Sequence, residues 1–222
     1  DGTKGFTEGH MSHITAMIGV AVNKRPRIGV IHKPFYKHGL KMGRTYFGTP
    51  ECGIFIKDKF PQSLRRLQRV TPLVPFPTED AITKEDYKLW ICGSMNTNQV
   101  SMNELFSAVQ PDHITRVAGA GNKIVHMLDQ KSDIYTNLVP GLKFWDMCAG
   151  EALIQSMMGI VCDAEHKPLI YDHTLEDYTI QEGIMVAKNH RAFETFNQRL
   201  IQHTAKDLCD FHEQAQEEAR EY

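Results

Sequence analysis

Apolar residues near the start of the chain come in short β-rich runs, and beyond residue 87 they alternate between strand-like and helix-like spacing. Residues 12–22 (SHITAMIGVAV) and 27–33 (RIGVIHK) form two such runs, separated by Asn23-Lys24-Arg25-Pro26. Polar residues and a proline between two β-rich runs predict a hairpin. A second pair, Arg44–Gly48 and Gly53–Lys57, brackets Thr49-Pro50, so the first quarter of the chain reads as antiparallel sheet. Residues 61–84 change character, with Pro61, Pro72, Pro75 and Pro77 among scattered charges. They read as an edge strand and linker, dividing an antiparallel-sheet subdomain over 1–80 from a C-terminal α/β subdomain over 81–222.

Tyr87–Cys92 then reads as a strand, Val100–Val109 as a helix and Ile114–Val117 as a strand. A helix from about Asn122 to Gln130 places Ile124, Met127 and Leu128 on one face. Ser132–Leu138 is again strand-like, and a helix from Asp146 to Met158 is expected to bury Ala149, Leu153, Ser156 and Met157. Short strands over 168–171 and 183–188 and a closing helix over 190–206 complete the series. The charged tail, 212–222, reads as a solvated helix end. This alternation favours a layered α/β arrangement with parallel pairings.

Composition narrows the function. Of 222 residues, 41% are hydrophobic and 23% charged, with a formal net charge of -2. That balance argues against a nucleic-acid polymer or a membrane surface as the main partner, and leaves room for a small phosphorylated ligand. Five widely spaced cysteines (Cys52, Cys92, Cys148, Cys162, Cys209) contain no C-x-x-C pair, so a reducing, cytoplasmic setting is expected. A targeting segment ahead of Asp1 would change that compartment. No apolar run approaches the roughly 20 residues of a membrane helix.

Two stretches could carry chemistry: Asp1-Gly2-Thr3, a carboxylate beside a flexible glycine and a hydroxyl, and Trp145-Asp146-Met147-Cys148-Ala149. Asp146 opens the predicted helix, where an aspartate is most often an N-cap. Arg116-Val117-Ala118-Gly119-Ala120-Gly121-Asn122-Lys123 leads a strand into a helix. Its glycines either offer backbone N–H groups to an anion or simply make a tight turn. His10-x-x-His13 could ligate zinc but has no third ligand in view. Cys148 reads as an inert core thiol, and Trp90 and Trp145 as core aromatics.

Taken together and in this order, the motifs resemble the inositol-monophosphatase-like family of magnesium-dependent, lithium-sensitive phosphatases. Asp1-Gly2-Thr3 resembles the end of its D-P-(L/I)-D-G-T signature. Trp145-Asp146-Met147-Cys148-Ala149-Gly150 resembles its W-D-x-x-A-(G/P), with Gly159 near the expected helix end. Lys4 and Phe6 resemble the K-E-(F/Y) of the 3′(2′),5′-bisphosphate nucleotidase branch, and the Arg116–Lys123 stretch resembles that branch's R-V-G-G-A-G-N-K. The resemblance runs from Asp1 to about Leu200. It implies a layered α-β-α-β-α fold and Mg²⁺ bound by carboxylates. Asp1 and Asp146 would be the metal ligands, and Thr3 would orient or help deprotonate the attacking water, with Asp1 and Thr3 thus catalytic. Gly2, Thr3, Gly119, Gly121, Lys123 and Asp146 would meet the substrate, an adenosine bisphosphate or an inositol phosphate.

The chain also departs from the pattern. The family's upstream acidic E-E pair and the first Asp of D-P-(L/I)-D are not in this sequence, Gly5 stands where Glu is expected, and 93–99 (GSMNTNQ) lacks the branch's Arg and His. Cys162-Asp163-Ala164-Glu165-His166 replaces the usual T-D-x-x-G turn. The N-terminal layer is therefore expected to be incomplete and residues 1–80 a remnant of their subdomain. Such an open sheet face is an apolar patch a monomer rarely tolerates, so a partner chain or further segment is expected over it. The alternative to an enzyme is a catalytically inactive homologue serving as a structural subunit of a larger assembly.

Overall fold

Asn23 and Lys24 alone join the first two strands, β1 (Ala16–Val22) and β2 (Arg25–His38), and both have positive φ, 52° and 62°. Two left-handed residues in succession give a turn whose twist matches that of the flanking strands. The turn is shorter than the stretch suggested by sequence: Arg25 and Pro26 already pair with Val22 and Ala21, beside a register shift at Val20/Ala21. With β3 (Lys41–Thr49) and β4 (Gly53–Asp58) these strands make an antiparallel sheet in the order β1-β2-β3-β4. The computed structural model describes residues 1–38, 41–58, 87–95, 100–138 and 140–204; the expected linker over 61–84 and tail over 212–222 lie outside them.

Side chains alternate across this sheet as strand geometry requires. Ile31, Tyr46 and Ile54 point inward and are buried. On the other face Ile18, Val20, Val22 and Ile28 are 65%, 40%, 50% and 43% exposed, and Phe47 stacks on Phe55 at 5.5 Å.

The inner face is notched where Gly19 and Gly29 pair directly across β1 and β2. The helix α4 (Phe144–Ser156) sits in that notch. A Cβ on Gly19 would come within 2.6 Å of the Ala149 nitrogen, and one on Gly29 within 2.2 Å of the Ala149 carbonyl oxygen. Only hydrogen at both positions lets helix backbone lie this close to strand backbone. Met147 through Ile154 are consequently buried all round, as expected of a helix packed between two layers.

The second sheet has the order β6-β5-β7-β9-β8, from β5 (Trp90–Ser94), β6 (His113–Val117), β7 (Ile134–Asn137), β8 (Ile160–Cys162) and β9 (Ile184–Ala187). Parallel pairing holds for β5 with β6 and β7, whereas β9 runs antiparallel to β7 and β8. One face packs on α3 (Ala120–Leu128) and α4 through Cys92, Tyr135, Ile184 and Val186. The other packs through Ile91, Ile134, Met185 and Ala187 on α2 (Val100–Val109) and on α5, residues 190–204. The chain is a mixed α/β fold, layered sheet, helices, sheet, helices among the described residues, with the outer face of the first sheet open.

Several sequence expectations shift. Residues 168–171 form no strand; Leu169 is buried in irregular chain, its carbonyl accepting from Arg25 Nη1 at 2.8 Å. The strand lies earlier, at β8. A short helix, α1 (Thr3–Thr7), follows Asp1-Gly2, and α4 begins at Phe144, two residues before Asp146. Trp145 is 61% exposed rather than core, leaning on Tyr178, and Trp90 is likewise exposed against His113. Cys148 is buried, and burial pushes its thiol up to about 11.

Glu151, on the same helix, has no solvent exposure. Tyr171 Oη donates to it at 2.7 Å and Gln155 Nε2 at 2.8 Å, while Arg25 Nη2 stands at 3.4 Å. Burial nevertheless outweighs these contacts and pushes the carboxyl up to about 7. A carboxyl whose folded pKa is raised binds more protons folded than unfolded, so its contribution is full below its unfolded value and is lost as pH rises through about 7. The stability difference between wild type and Glu151→Gln is therefore expected to change in the variant's favour, by on the order of 2 kcal/mol, between about pH 5 and about pH 8. Denaturant unfolding across that range measures it, and a pH-independent difference contradicts it. Gly29→Ala, which drives a methyl into the Ala149 carbonyl, is expected to lower unfolding free energy by about 3 kcal/mol; an unchanged midpoint contradicts the notch.

Candidate active site

The C-terminal ends of β5 and β6, the start of α1 and the start of α4 converge on one cavity of about 380 Å³, whose lining includes Asp1, Thr3, Glu8, His10, Ser94 and Asp146. Gly2, Gly5, Met95, Ala118 and Gly119 complete the wall. Asp1 and Asp146, far apart in the sequence, thus face the same space.

Asp1 is fixed from two sides. Its nitrogen donates to the Thr15 carbonyl at 2.8 Å, and its carbonyl accepts from Thr15 N at 3.2 Å. Its carboxylate oxygen Oδ2 accepts from Thr15 Oγ1 at 3.2 Å and from the Gly121 N–H at 3.0 Å. The second donor lies in the first turn of α3, where free N–H groups and the helix dipole favour an anion. Gly119, at φ 81°, makes the bend that allows this, and a Cβ there would sit 2.8 Å from Asp1 Oδ2. A Cβ on Gly121 would meet Thr15 Oγ1 and Met17 Sδ at 2.4 Å. The glycine loop that sequence offers as an anion cradle therefore holds the chain's own carboxylate.

Asp146 occupies the third position of α4, not its cap. Its Oδ2 accepts from the Lys143 N–H at 2.9 Å, reaching back one turn. The helix-start reading and the ligand reading are compatible, because a carboxylate has two oxygens and the helix start uses one. Thr3 stands in the cavity wall beside Asp1, and Gly2, at φ 91°, turns the chain between them.

Lys123 is placed differently from the expected phosphate contact. It is 6% exposed, is not part of the cavity wall, and holds its ammonium 5.1 Å from the centre of the Tyr135 ring. Burial lowers its pKa, and the charges of Cys92 and Asp146 oppose that shift. Glu8, His10, Ser94 and Thr15 belong to the site although no motif singled them out in these roles. Only the two-histidine spacing drew attention to His10.

The donor chemistry of the wall suits a hard cation. Asp1, Glu8 and Asp146 supply carboxylate oxygens, and Thr3 and Ser94 supply hydroxyls. No group of three or more His, Cys, Asp or Glu close enough to hold a metal occurs among the described residues. Mg²⁺ fits such a site, since it commonly uses one or two carboxylates and completes its shell with waters and substrate phosphate. Asp1 and Asp146 are the residues that would hold it.

The sequence model of the inositol monophosphatase family matches residues 1–206. The chain belongs to the inositol monophosphatase family. Members of that family are generally metal-dependent. One relative is 3′(2′),5′-bisphosphate nucleotidase 1 of Rattus norvegicus, 26% identical over 197 residues that cover 87% of this chain and 57% of that protein. The chain thus spans little more than half the length of the curated relative it matches. Among solved structures, the inositol monophosphate-bound staphylococcal SaIMPase-II superposes with a TM-score of 0.65 at 18% identity, covering 97% of this chain and 73% of that one. CysQ from Bacteroides thetaiotaomicron gives 0.64 at 21% identity, covering 86% and 68%. These likenesses show the inositol monophosphatase fold. No helix among the described residues is long and apolar enough to cross a membrane.

Thr15 is the residue whose role the geometry makes testable without turnover. Thr15→Val keeps the shape and removes one of the two donors to the Asp1 carboxylate. Calorimetric Mg²⁺ affinity is expected to fall about tenfold, as when an outer partner of a metal ligand is lost. Unchanged affinity with an intact fold contradicts the role of Thr15 in holding Asp1.

Proposed function

We propose that this member of the inositol monophosphatase family is a Mg²⁺-dependent phosphomonoesterase of the 3′(2′),5′-bisphosphate nucleotidase type. Its substrate is a small phosphate ester: adenosine 3′,5′-bisphosphate, losing its 3′-phosphate to give AMP, or a related inositol phosphate. The observation that carries this reading is the meeting of Asp1, Thr3 and Asp146 in one cavity. Similarity to the rat nucleotidase over 197 residues, 87% of this chain and 57% of that protein, supports the nucleotide branch.

Hydrolysis adds water across the ester P–O bond, releasing an alcohol and inorganic phosphate. When bound, Mg²⁺ supplies positive charge against the phosphate oxygens and makes a nearby water more acidic. Asp1, pinned by Thr15 and Gly121, offers the cation a carboxylate whose direction is set before substrate arrives. Thr3, beside it, orients the attacking water through its hydroxyl. Asp146 would help hold the cation with its other oxygen, while Oδ2 stays on the Lys143 N–H. Gly2 and Gly119 stand in the wall and lack the side chains that would push against the His13 carbonyl and the Asp1 carboxylate, so the wall keeps its shape. Lys123, beneath the wall, acts on the site through its field and not by contact.

Purified protein given adenosine 3′,5′-bisphosphate and Mg²⁺ is expected to release phosphate, with inhibition by lithium. Asp146→Ala is expected to lower the rate by more than about a hundredfold. Release of no phosphate from nucleotide and inositol phosphates alike overturns the reading.

The open sheet face supports a second reading, in which the chain is a structural subunit of an assembly. Ile18, Val20, Val22 and Ile28 form an exposed apolar stripe of the kind that marks a covered surface. Another polypeptide surface is then expected over β1 and β2. Light scattering should give a mass above the 25.3 kDa of one chain. A monodisperse monomer contradicts that cover, and catalysis is judged separately by phosphate release.

A further inference from the structure

We propose that His10 is a specificity residue of this cavity, donating to a second anionic group of the substrate, apart from the phosphate that is removed. The inference rests on the phosphatase reading and adds the class of substrate preferred: a bisphosphorylated small molecule over its monophosphate.

The wall of the cavity is acidic. Asp1, Glu8 and Asp146 contribute carboxylates, and His10 is the one lining side chain among the described residues that can carry positive charge. Cation bound between Asp1 and Asp146 answers the phosphate under attack. A second phosphate extending toward the α1 side would meet the Glu8 carboxylate, a repulsive contact unless a donor stands beside it. His10, two residues further along the same loop, is that donor. Lys123 cannot substitute, since its ammonium lies under the wall against Tyr135.

The loop holds His10 in place. Its N–H donates to the Gly5 carbonyl at 2.7 Å and its carbonyl accepts from His13 N at 3.0 Å. The two imidazole rings lie 5.6 Å apart. His13 Nδ1 is buried without a hydrogen-bond partner, and burial, followed by the nearness of His10 and Lys33, lowers the His13 pKa. His13 thus backs its neighbour with its charged form disfavoured.

Gly5 lies beside both histidines. A Cβ there would lie 3.4 Å from the Cβ of His13 and 3.8 Å from that of His10. Those are ordinary contacts, so the backbone itself does not demand glycine there. A glutamate, the residue expected from the family pattern, would place a competing carboxylate against His10. The exchange of that carboxylate for Gly5 leaves the imidazole available to a ligand. With no third metal-ligating group beside them, the two histidines do not make a zinc site.

The test compares adenosine 3′,5′-bisphosphate with adenosine 3′-monophosphate, which presents the same phosphate for removal and lacks the second. His10→Ala is expected to raise KM about tenfold for the bisphosphate, the loss of one charge-assisted hydrogen bond. KM for the monophosphate should stay within about twofold, and kcat for both should be unchanged. His10→Arg is expected to restore the preference, and His10→Gln, with circular dichroism of each variant, separates lost charge from lost folding. An equal change for both substrates, or none, overturns the inference alone while wild type still releases phosphate. Wild type that hydrolyses neither substrate overturns the phosphatase reading and this inference with it.

Discussion

The close approach of α4 to the first sheet, through Gly19 and Gly29, is the contact on which the site depends. Two glycines facing each other across β1 and β2 remove the side chains that would hold the helix off, and Ala149 drops between them. The helix carries Asp146 in its first turn, so the notch sets where that carboxylate can reach. The same economy of side chain continues outward. Gly150, where a Cβ would come within 2.8 Å of Ile124, lets α3 close on α4, and Gly121 lets the start of α3 meet Thr15. Each approach is short, and together they bring residues 1, 15, 119–121 and 146 into one corner.

That corner gathers negative charge, and the fold meets it with partial charges, not with cations. Asp1 leans on a helix N-terminus and a buried hydroxyl; Asp146 leans on the backbone N–H of Lys143. Both carboxylates keep an oxygen for something else. The available lysine, Lys123, is buried beneath them, where desolvation opposes its charge. A site built this way has fixed donors toward its own acids and remains in need of external positive charge, which is the property a metal-assisted phosphatase uses. The balance at Glu151 obeys the same physics with the opposite result: sealed away from water, it is pushed toward neutrality despite three polar neighbours.

Much of this was legible in the chain where the signal is local. Asn23-Lys24-Arg25-Pro26 announced the hairpin because polar residues and a proline interrupt two β-rich runs, although the turn itself uses only Asn23 and Lys24. Val100–Val109 was recovered as a helix with the same limits, and Ile124, Met127 and Leu128 proved to share a buried face. Local signals failed where packing decides. Trp145 and Trp90 look like core by their hydrophobicity, yet lie on the rim of the layers. Residues 168–171 have strand-like composition, but Leu169 spends its carbonyl on Arg25 and the sheet ends at β8 instead.

The sequence by itself determined the period of the elements, the family pattern and which acids could do chemistry, because these follow from residue type and spacing. Only the tertiary structure decided what each acid and glycine is for. Gly121 reads equally well as a phosphate cradle or a turn until its N–H is seen to point at Asp1. Asp146 reads as an N-cap until it is seen at the third helix position, with one oxygen on the Lys143 N–H and the cavity beside it. Lys123 reads as a phosphate contact until it is found facing Tyr135. The direction of one N–H, one oxygen or one ammonium is set by backbone approaches between elements far apart in the chain, and no spacing along the chain encodes that.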